Sequence, residues 1–263
     1  MTIPIYQVDA FANTLFQGNP AAVCILPGAA DAHWQQAMAA EMNLSETAFV
    51  QPQADGFSLR WFTPQVEVEL CGHATLAAAH VLWQEEAYPL DQSIRFHTRS
   101  GLLTVRRNDG EIEMDFPITP LAHASIPTGL EAALGCEVLE ARQAKTDCLI
   151  RLASQDDVRR LQPDFAKLRN IAARGIIVTA PSNDASVDFV SRFFAPAVGI
   201  NEDPVTGSAH CALGPYWSAL LGKHELSARQ ISPRGGTLRL TLNQDRILLR
   251  GQAITVFKGY LYE

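Results

Sequence analysis

The chain has 263 residues, of which 47% are hydrophobic and 19% are charged, and its formal net charge is −7. This composition excludes a disordered chain and provides a core large enough for one large domain or two small ones. Arginine and lysine form no basic stripe, so we expect no nucleic-acid partner. No apolar run approaches the roughly 20 residues that span a bilayer, and no signal peptide is recognised. We therefore expect a cytoplasmic protein with no membrane partner.

Strand and helix patterns are mixed in the first half of the chain. Helices are predicted at 32–42, where Asp31 is suited to be the N-cap, and at 74–86. The turn signal Asn108-Asp109-Gly110 predicts a hairpin between the last two strands of this half. Apolar and β-branched runs predict strands at 3–8, 21–26, 47–51, 57–62, 94–98, 102–107 and 111–115.

A proline-containing stretch, 116–128, is the expected linker between two lobes. We place the N-terminal lobe at 1–118 and the C-terminal lobe at 119–263, with a terminal strand that can cross between them. The second lobe is predicted to contain a helix from about Ser208 to Leu221 and a β-rich tail over 238–257. Its other strands are predicted at 148–152, 175–179 and 188–194.

The two halves contain an internal repeat. Residues 57–66 align with 189–198 at a constant offset of 132 (189 minus 57), with five identities in ten positions. A second match, of 72–74 with 207–209, has an offset of 135, so a three-residue insertion separates the two blocks. Two copies at this length predict pseudo-twofold lobes whose equivalent loops face each other across a ligand cleft.

Each repeated loop ends at a predicted helix start that contains glycine. Helix N-termini expose unpaired amide donors and bind anions, so a small carboxylate is the expected ligand. The repeated glycines and prolines could instead only preserve turn geometry in both copies. That alternative explains less about the polar residues beside them.

The chemistry-bearing residues are carboxylates, a histidine and amide donors. The sequence contains no GxGxxG, P-loop, GxSxG or HExxH motif, so the usual nucleotide, serine-hydrolase and zinc-protease sites are unsupported. The remaining groups suit general acid/base chemistry on an anionic substrate. Taken singly, Glu46 would be a solvated carboxylate, His73 a structural hydrogen bonder, Asp203 a turn former and Ser208 an N-cap.

Four motifs, in order over almost the whole chain, resemble those of the PhzF-like proteins, which share the diaminopimelate-epimerase fold. They are Asp-Ala-Phe followed by Gly-Asn-Pro within 9–20, Met-Asn-Leu-Ser-Glu-Thr-Ala-Phe at 42–49, Cys-Gly-His-Ala-Thr at 71–75, and Glu-Asp-Pro-Val-Thr-Gly-Ser-Ala-His at 202–210. The resemblance implies an α+β fold of two pseudo-symmetric lobes, each a β-barrel-like sheet around a central helix. It also implies a homodimer, with no cofactor and no metal.

The resemblance also implies residue roles in an isomerase. Glu46 matches the general acid/base that moves a proton between carbons of a small carboxylate substrate. His73 and Asp203 match residues that assist at the reacting atoms. The substrate-binding positions that the motifs imply are Asn19, Ser45, Gly72, Gly207 and Ser208.

Cys71 bears on the main alternative, a cysteine-dependent racemase or epimerase. The related epimerases use two thiols, one in each lobe. Cys71 lies where the first is expected, and we expect Asp203 at the equivalent place in the second half, so the two-thiol pattern is incomplete. A metal site built from Cys71, His73, His210 and Cys211 matches no zinc spacing. A non-catalytic small-ligand-binding protein with the same fold is the third alternative.

Overall fold

The computed structural model describes residues 2–262. The chain divides into two compact units, Met1–Asp115 with Arg250–Glu263, and Phe116–Leu249. Both are dominated by β-sheet, with few helices, as expected for the α+β class. Within residues 2–262, no helix combines the length and the apolar character needed to cross a membrane.

The first unit is a mixed sheet. Strand β1 pairs antiparallel with β18 and β2, β2 pairs parallel with β3, and β3 pairs antiparallel with β4. Strand β4 then pairs parallel with β6, which leads antiparallel to β7 and β8. The elements are β1 (Ile3–Ala10), β2 (Asn19–Ile25), α1 (Ala32–Met42), β3 (Glu46–Gln53), β4 (Gly56–Phe62), β5 (Glu67–Val68), α2 (Gly72–Gln84), β6 (Ile94–Thr98), β7 (Gly101–Asn108), β8 (Glu111–Pro117) and β18 (Ala253–Leu261).

The second unit repeats this pairing order. Strand β10 pairs antiparallel with β9 and β11, β11 pairs parallel with β12, and β12 pairs antiparallel with β13. Strand β13 pairs parallel with β15, which pairs antiparallel with β16. The elements are β9 (Leu121–Ala124), α3 (Leu130–Leu134), β10 (Glu140–Ala144), β11 (Asp147–Arg151), α4 (Gln155–Arg160), α5 (Phe165–Leu168), β12 (Ile176–Pro181), β13 (Phe189–Ala195), a 3₁₀ turn (Pro196–Val198), β14 (Ile200–Asp203), α6 (Gly207–Leu221), β15 (Glu225–Gln230), β16 (Gly236–Asn243) and β17 (Arg246–Gly251).

One long helix is buried in each unit. Every side chain of α2 from His73 to Ala79 is buried, and the helix packs against β1, β2, β3 and β18. Helix α6 is buried along its first half except at Ser208, and it packs against β15 and β16. Helices that are apolar on all sides must be enclosed, which accounts for the alanine- and leucine-rich sequences of both.

Several local features that the sequence predicts are present in the structure. The prediction of α1 is confirmed, and Oδ1 of Asp31 caps it by accepting the amide hydrogens of His33 and Trp34. The hairpin turn is confirmed as well, with positive φ angles at Asp109 (49°) and Gly110 (80°). Helices α2 and α6 begin at Gly72 and Gly207, up to two residues before the predicted starts.

The stretch 116–128 is not a free linker, because it contains β9, paired with β10. The residues just before β9 are also held by a hydrogen bond, since the amide of Thr119 donates to the carbonyl of Cys211 at 2.9 Å. That carbonyl has no amide partner within α6, because the residue four positions later is Pro215, which lacks an N–H. The proline inside the helix therefore creates the acceptor that holds this segment.

The repeat extends to side-chain contacts. In the first unit Arg60 forms a bidentate pair with Glu67, at 2.8 and 2.9 Å. In the second unit Arg192 forms the same pair with Glu202, at 2.7 and 2.8 Å. Each guanidinium also lies over an aromatic ring two residues along its own strand, at 5.0 and 4.9 Å from the ring centroids. The insertion, 199–201, therefore lies immediately before the second glutamate.

We predict that the Arg192 pair contributes more to stability than the Arg60 pair. The Arg192 side chain is 9% exposed and also donates to the carbonyls of Val158 and Leu161. Arg192→Met should lower the free energy of unfolding by roughly 3–5 kcal/mol, because it leaves a partly buried carboxylate uncompensated. Arg60 is 30% exposed and Arg99 also reaches Glu67, so Arg60→Met should cost only about 1 kcal/mol.

Urea unfolding of both variants measures this difference. Equal decreases in the free energy of unfolding of the two variants would contradict the prediction that the more buried pair contributes more to stability.

Candidate active site

The carboxylate of Glu46 lies against the imidazole of His73 in the first unit. Glu46 is the first residue of β3, which runs parallel to β2, and His73 is the second residue of α2. Oε2 of Glu46 is 3.1 Å from Nε2 of His73, and the side chains are only 14% and 6% exposed. Two residues that each had a structural interpretation alone therefore form one acid/base pair, with His73 buried and Glu46 only partly exposed.

Asn19 contacts the other ring nitrogen of His73. Its Nδ2 is 3.2 Å from Nδ1 of His73, and the residue is fully buried at the start of β2. The preceding turn requires Gly18, whose φ is +70° and where a Cβ would lie 2.2 Å from the carbonyl oxygen of Ala10. A carboxamide can donate to a neutral imidazole or, with its orientation reversed, accept from an imidazolium. Asn19 can therefore support His73 in either protonation state.

The charge state of His73 is set by competing effects. Burial disfavours the imidazolium, but interactions with Cys71 and Glu46 favour it, and the net effect raises the pKa of His73 well above 6.5. Burial and the charge of Glu46 raise the pKa of Cys71 to about 11. Near pH 7 the thiol is therefore neutral, and the charge and hydrogen bond of Glu46 favour the protonated form of His73.

Cys71 lies beside this pair. Its Sγ is 3.5 Å from Nδ1 of His73. A set of ligand atoms from Glu46, Cys71 and His73 lies within 4.8 Å of one another and could hold a metal ion. This set differs from the sequence-based metal hypothesis, whose other members, His210 and Cys211, lie on α6 in the second unit.

His210 is fully buried and is a weak metal-ligand candidate. Its Nδ1 donates to the carbonyl of Thr206 at 2.8 Å, and its ring stacks on Phe189. Burial lowers its pKa to about 4, so it is neutral at physiological pH. Its role in the described structure is therefore packing at the start of α6.

In the second unit, Asp203 ends β14 and is buried, and the hydroxyl of Thr206 donates to its Oδ2. The expected equivalence of Asp203 with Cys71 is wrong. Asp203 is opposite Phe193 in its sheet, just as Val68 is opposite Trp61. Because the insertion precedes Glu202 rather than following it, the counterpart of Cys71 is Thr206.

Cys71 and Thr206 occupy the same position at their helices. Both are N-caps with extended backbone, and neither side chain caps its helix. The first amides of α2 and α6, which include those of Gly72, Gly207 and Ser208, have no intrahelical acceptor. Ser208 is the second helical residue, so its interpretation as an N-cap is wrong.

Ser45 is half-buried in the bend just before Glu46, and its role in substrate binding stays a prediction. Two residues with direct bonds to the Asp203 loop were missed by sequence reasoning. Thr206 lies inside the fourth motif but was not singled out. Gln230 belongs to no motif, so no sequence signal identified it.

We predict that His73 titrates above pH 6.5 in the folded protein and that Glu46→Gln lowers this pKa, because it removes the neighbouring negative charge. A raised pKa means that the pair stabilises the fold at low pH, and that this contribution is lost as pH rises through the pKa of His73. The chemical shifts of the His73 imidazole, followed by NMR against pH, measure this pKa in the wild type and in Glu46→Gln. A pKa that does not fall in Glu46→Gln would contradict the pairing, and His97, hydrogen-bonded to the carbonyl of Asp55, is the internal control.

The comparisons with known proteins agree with the motifs. A model of the phenazine biosynthesis-like protein family matches residues 8–259. An uncharacterized isomerase of Halalkalibacterium halodurans is 52% identical over 262 residues, which cover 99% of this chain and 99% of that protein. The crystal structure of a phenazine biosynthesis protein of the PhzF family from Enterococcus faecalis has a TM-score of 0.96 at 42% identity and covers 100% of both chains.

A predicted epimerase from Pseudomonas aeruginosa has a TM-score of 0.77 at 21% identity, with 99% of each chain covered, and this likeness concerns the fold alone. The expected α+β fold class is confirmed by these neighbours. The chain belongs to the phenazine biosynthesis-like (PhzF) protein family.

Proposed function

We propose that this protein is a cofactor-independent isomerase that moves a proton between two carbons of a small carboxylate substrate, with Glu46 as the general acid/base. The observation that carries the proposal is the 3.1 Å contact between Glu46, whose side chain is only 14% exposed, and the buried side chain of His73. Relatives that are named as uncharacterized isomerases support the same reaction class.

A general base must be held in position and shielded from water to act on a C–H bond. His73 binds Oε2 of Glu46, and Asn19 supports His73 from its other nitrogen. The carboxylate would take a proton from one carbon, while the electron pair of the broken C–H bond shifts a double bond. The protonated carboxyl would then deliver a proton to another carbon, so that no proton is gained or lost overall, and exchange of the carboxyl proton with solvent before this step would carry solvent hydrogen into the product.

The substrate carboxylate would bind to backbone amides at helix starts. Gly72, Gly207 and Ser208 lie in the first turns of α2 and α6, where unpaired amides and the helix dipole favour an anion. Asp203 would assist as a hydrogen-bond acceptor, since Thr206 donates to its Oδ2. Asn19 and Ser45 complete the proposed set.

A thiol mechanism at Cys71 is the competing enzymatic hypothesis. The thiolate is the reactive form of cysteine, and burial raises the pKa of Cys71 to about 11. The counterpart of Cys71 in the second unit is Thr206, which cannot supply a second thiol. Both observations favour Glu46 over Cys71 as the proton carrier.

The test is solvent-deuterium exchange. The protein is incubated in D₂O with a panel of small cyclic and amino carboxylates, and the C–H signals are followed by NMR. We expect exchange in the wild type and a loss of at least about 10²-fold in Glu46→Gln, as for other general bases. Cys71→Ala should keep most of the activity, and Glu41→Gln, an exposed glutamate on α1, is the matched control.

Exchange that survives in Glu46→Gln and disappears in Cys71→Ala would overturn the proposal in favour of the thiol mechanism. No exchange with any compound would favour the non-catalytic binding protein. Metal analysis of the purified protein, with and without the Glu46→Gln substitution, tests whether the Glu46–Cys71–His73 set holds an ion.

A further inference from the structure

One buried side chain, Gln230, is hydrogen-bonded to both Asp203 and Thr206, the N-cap residue of α6. Its Oε1 accepts the amide hydrogen of Thr206 at 2.9 Å, and its Nε2 donates to the carbonyl of Asp203 at 2.7 Å. Gln230 is the last residue of β15 and has 0% exposure. Loss of its amide would leave buried backbone groups without partners, which is costly.

The hydrogen bonds of this network have a fixed direction. Nε2 of Gln230 can only donate, and it lies 3.3 Å from Oγ1 of Thr206. The Thr206 hydroxyl therefore receives from Gln230 and donates its own hydrogen to Oδ2 of Asp203. Gln230 thus orients the carboxylate of Asp203 in two ways, through a hydrogen bond to the backbone carbonyl of Asp203 and through the Thr206 hydroxyl.

One hydrogen bond to the loop before each buried helix is common to both units. A serine in the turn after β15, Ser232, donates to the carbonyl of Pro204 at 2.8 Å. Its counterpart Ser100 makes the equivalent bond to the carbonyl of Glu69, also at 2.8 Å. The serine bond is thus common to both helix-start loops and serves the fold.

Gln230 has no such equivalent. Strands β6 and β15 pair in the same register with their partners, as Phe57 with Phe96 and Phe189 with Ala228. The counterpart of Gln230 is therefore Thr98, whose hydroxyl donates to the carbonyl of Gly101 within its own turn at 2.7 Å. The long amide is found only in the unit that carries Asp203.

We propose that Gln230 is a positioning residue that holds Asp203 and the start of α6 in the geometry required for catalysis. The catalytic part of this inference rests on the proposed function. The structural part, that Gln230 fixes the Asp203–Thr206 loop, can be tested without any substrate.

Three variants separate these parts. Gln230→Met keeps the side-chain length and removes both hydrogen-bonding groups. Gln230→Glu keeps an acceptor for the Thr206 amide, but its carboxylate cannot donate to the Asp203 carbonyl. Thr98→Val is the matched control at the equivalent position of the first unit, and thermal unfolding confirms that each variant is folded.

The substrate-free measurement is amide hydrogen exchange by NMR. Exchange of the Thr206 amide should accelerate at least about tenfold in Gln230→Met and stay near the wild-type rate in Gln230→Glu and Thr98→Val, because only the first loses the acceptor. Unchanged exchange at Thr206 in Gln230→Met would overturn the inference.

The catalytic measurement uses the substrate found in the deuterium-exchange panel. Both Gln230 variants should lower kcat at least about tenfold, and Thr98→Val should change it less than about twofold. In an Asp203→Asn background, Gln230→Met should add less than about twofold, because a residue that acts through Asp203 has no further effect once that carboxylate is gone. Full additivity, or wild-type kcat in Gln230→Met, would overturn the positioning role.

A wild-type protein that exchanges no substrate proton would refute the proposed function alone. The hydrogen-exchange rate of the Thr206 amide would then decide whether Gln230 holds the Asp203–Thr206 loop.

Discussion

Two bidentate arginine–glutamate pairs, Arg60 with Glu67 and Arg192 with Glu202, join the sheet of each unit to the short strand that precedes its buried helix. Each arginine lies on a strand inside its sheet, and each glutamate lies on the short strand that leads to α2 or α6. The fork geometry of the guanidinium fixes both position and orientation of the carboxylate. The chain therefore reaches the helix start in the same way in both units, even though the insertion lies just before Glu202.

A shared framework with different side chains explains how duplication can yield a functional site. Where the first unit has Val68, the second has Asp203, and where the first has Thr98, the second has Gln230. These differences occur at positions whose backbone is fixed by the ion pair and by a serine bond common to both units. New polar groups could therefore be introduced without disturbing the helix starts.

Burial has opposite consequences for the titratable groups in the first unit. Cys71 is penalised by desolvation, and its raised pKa keeps it a neutral thiol. His73 is equally buried, yet its charged form is stabilised because an anionic partner lies in contact with it. The negative charge of Glu46 raises the pKa of both groups, and this favours the charged form of the imidazole but the neutral form of the thiol.

The sequence by itself determined α1 with its Asp31 cap, the hairpin turn, most strands and the internal repeat, because these depend on periodicity and on turn chemistry within a few residues. The four motifs identified Glu46 and His73, but the contact between these two residues depends on the parallel pairing of β2 with β3 and on the packing of α2 against the sheet. The assignment of Asp203 as the counterpart of Cys71 placed the insertion after Asp203, whereas the strand register places it before Glu202. Gln230 lay beyond any sequence signal, because its bonds to the Asp203 loop are made between segments that only the folded sheet brings together.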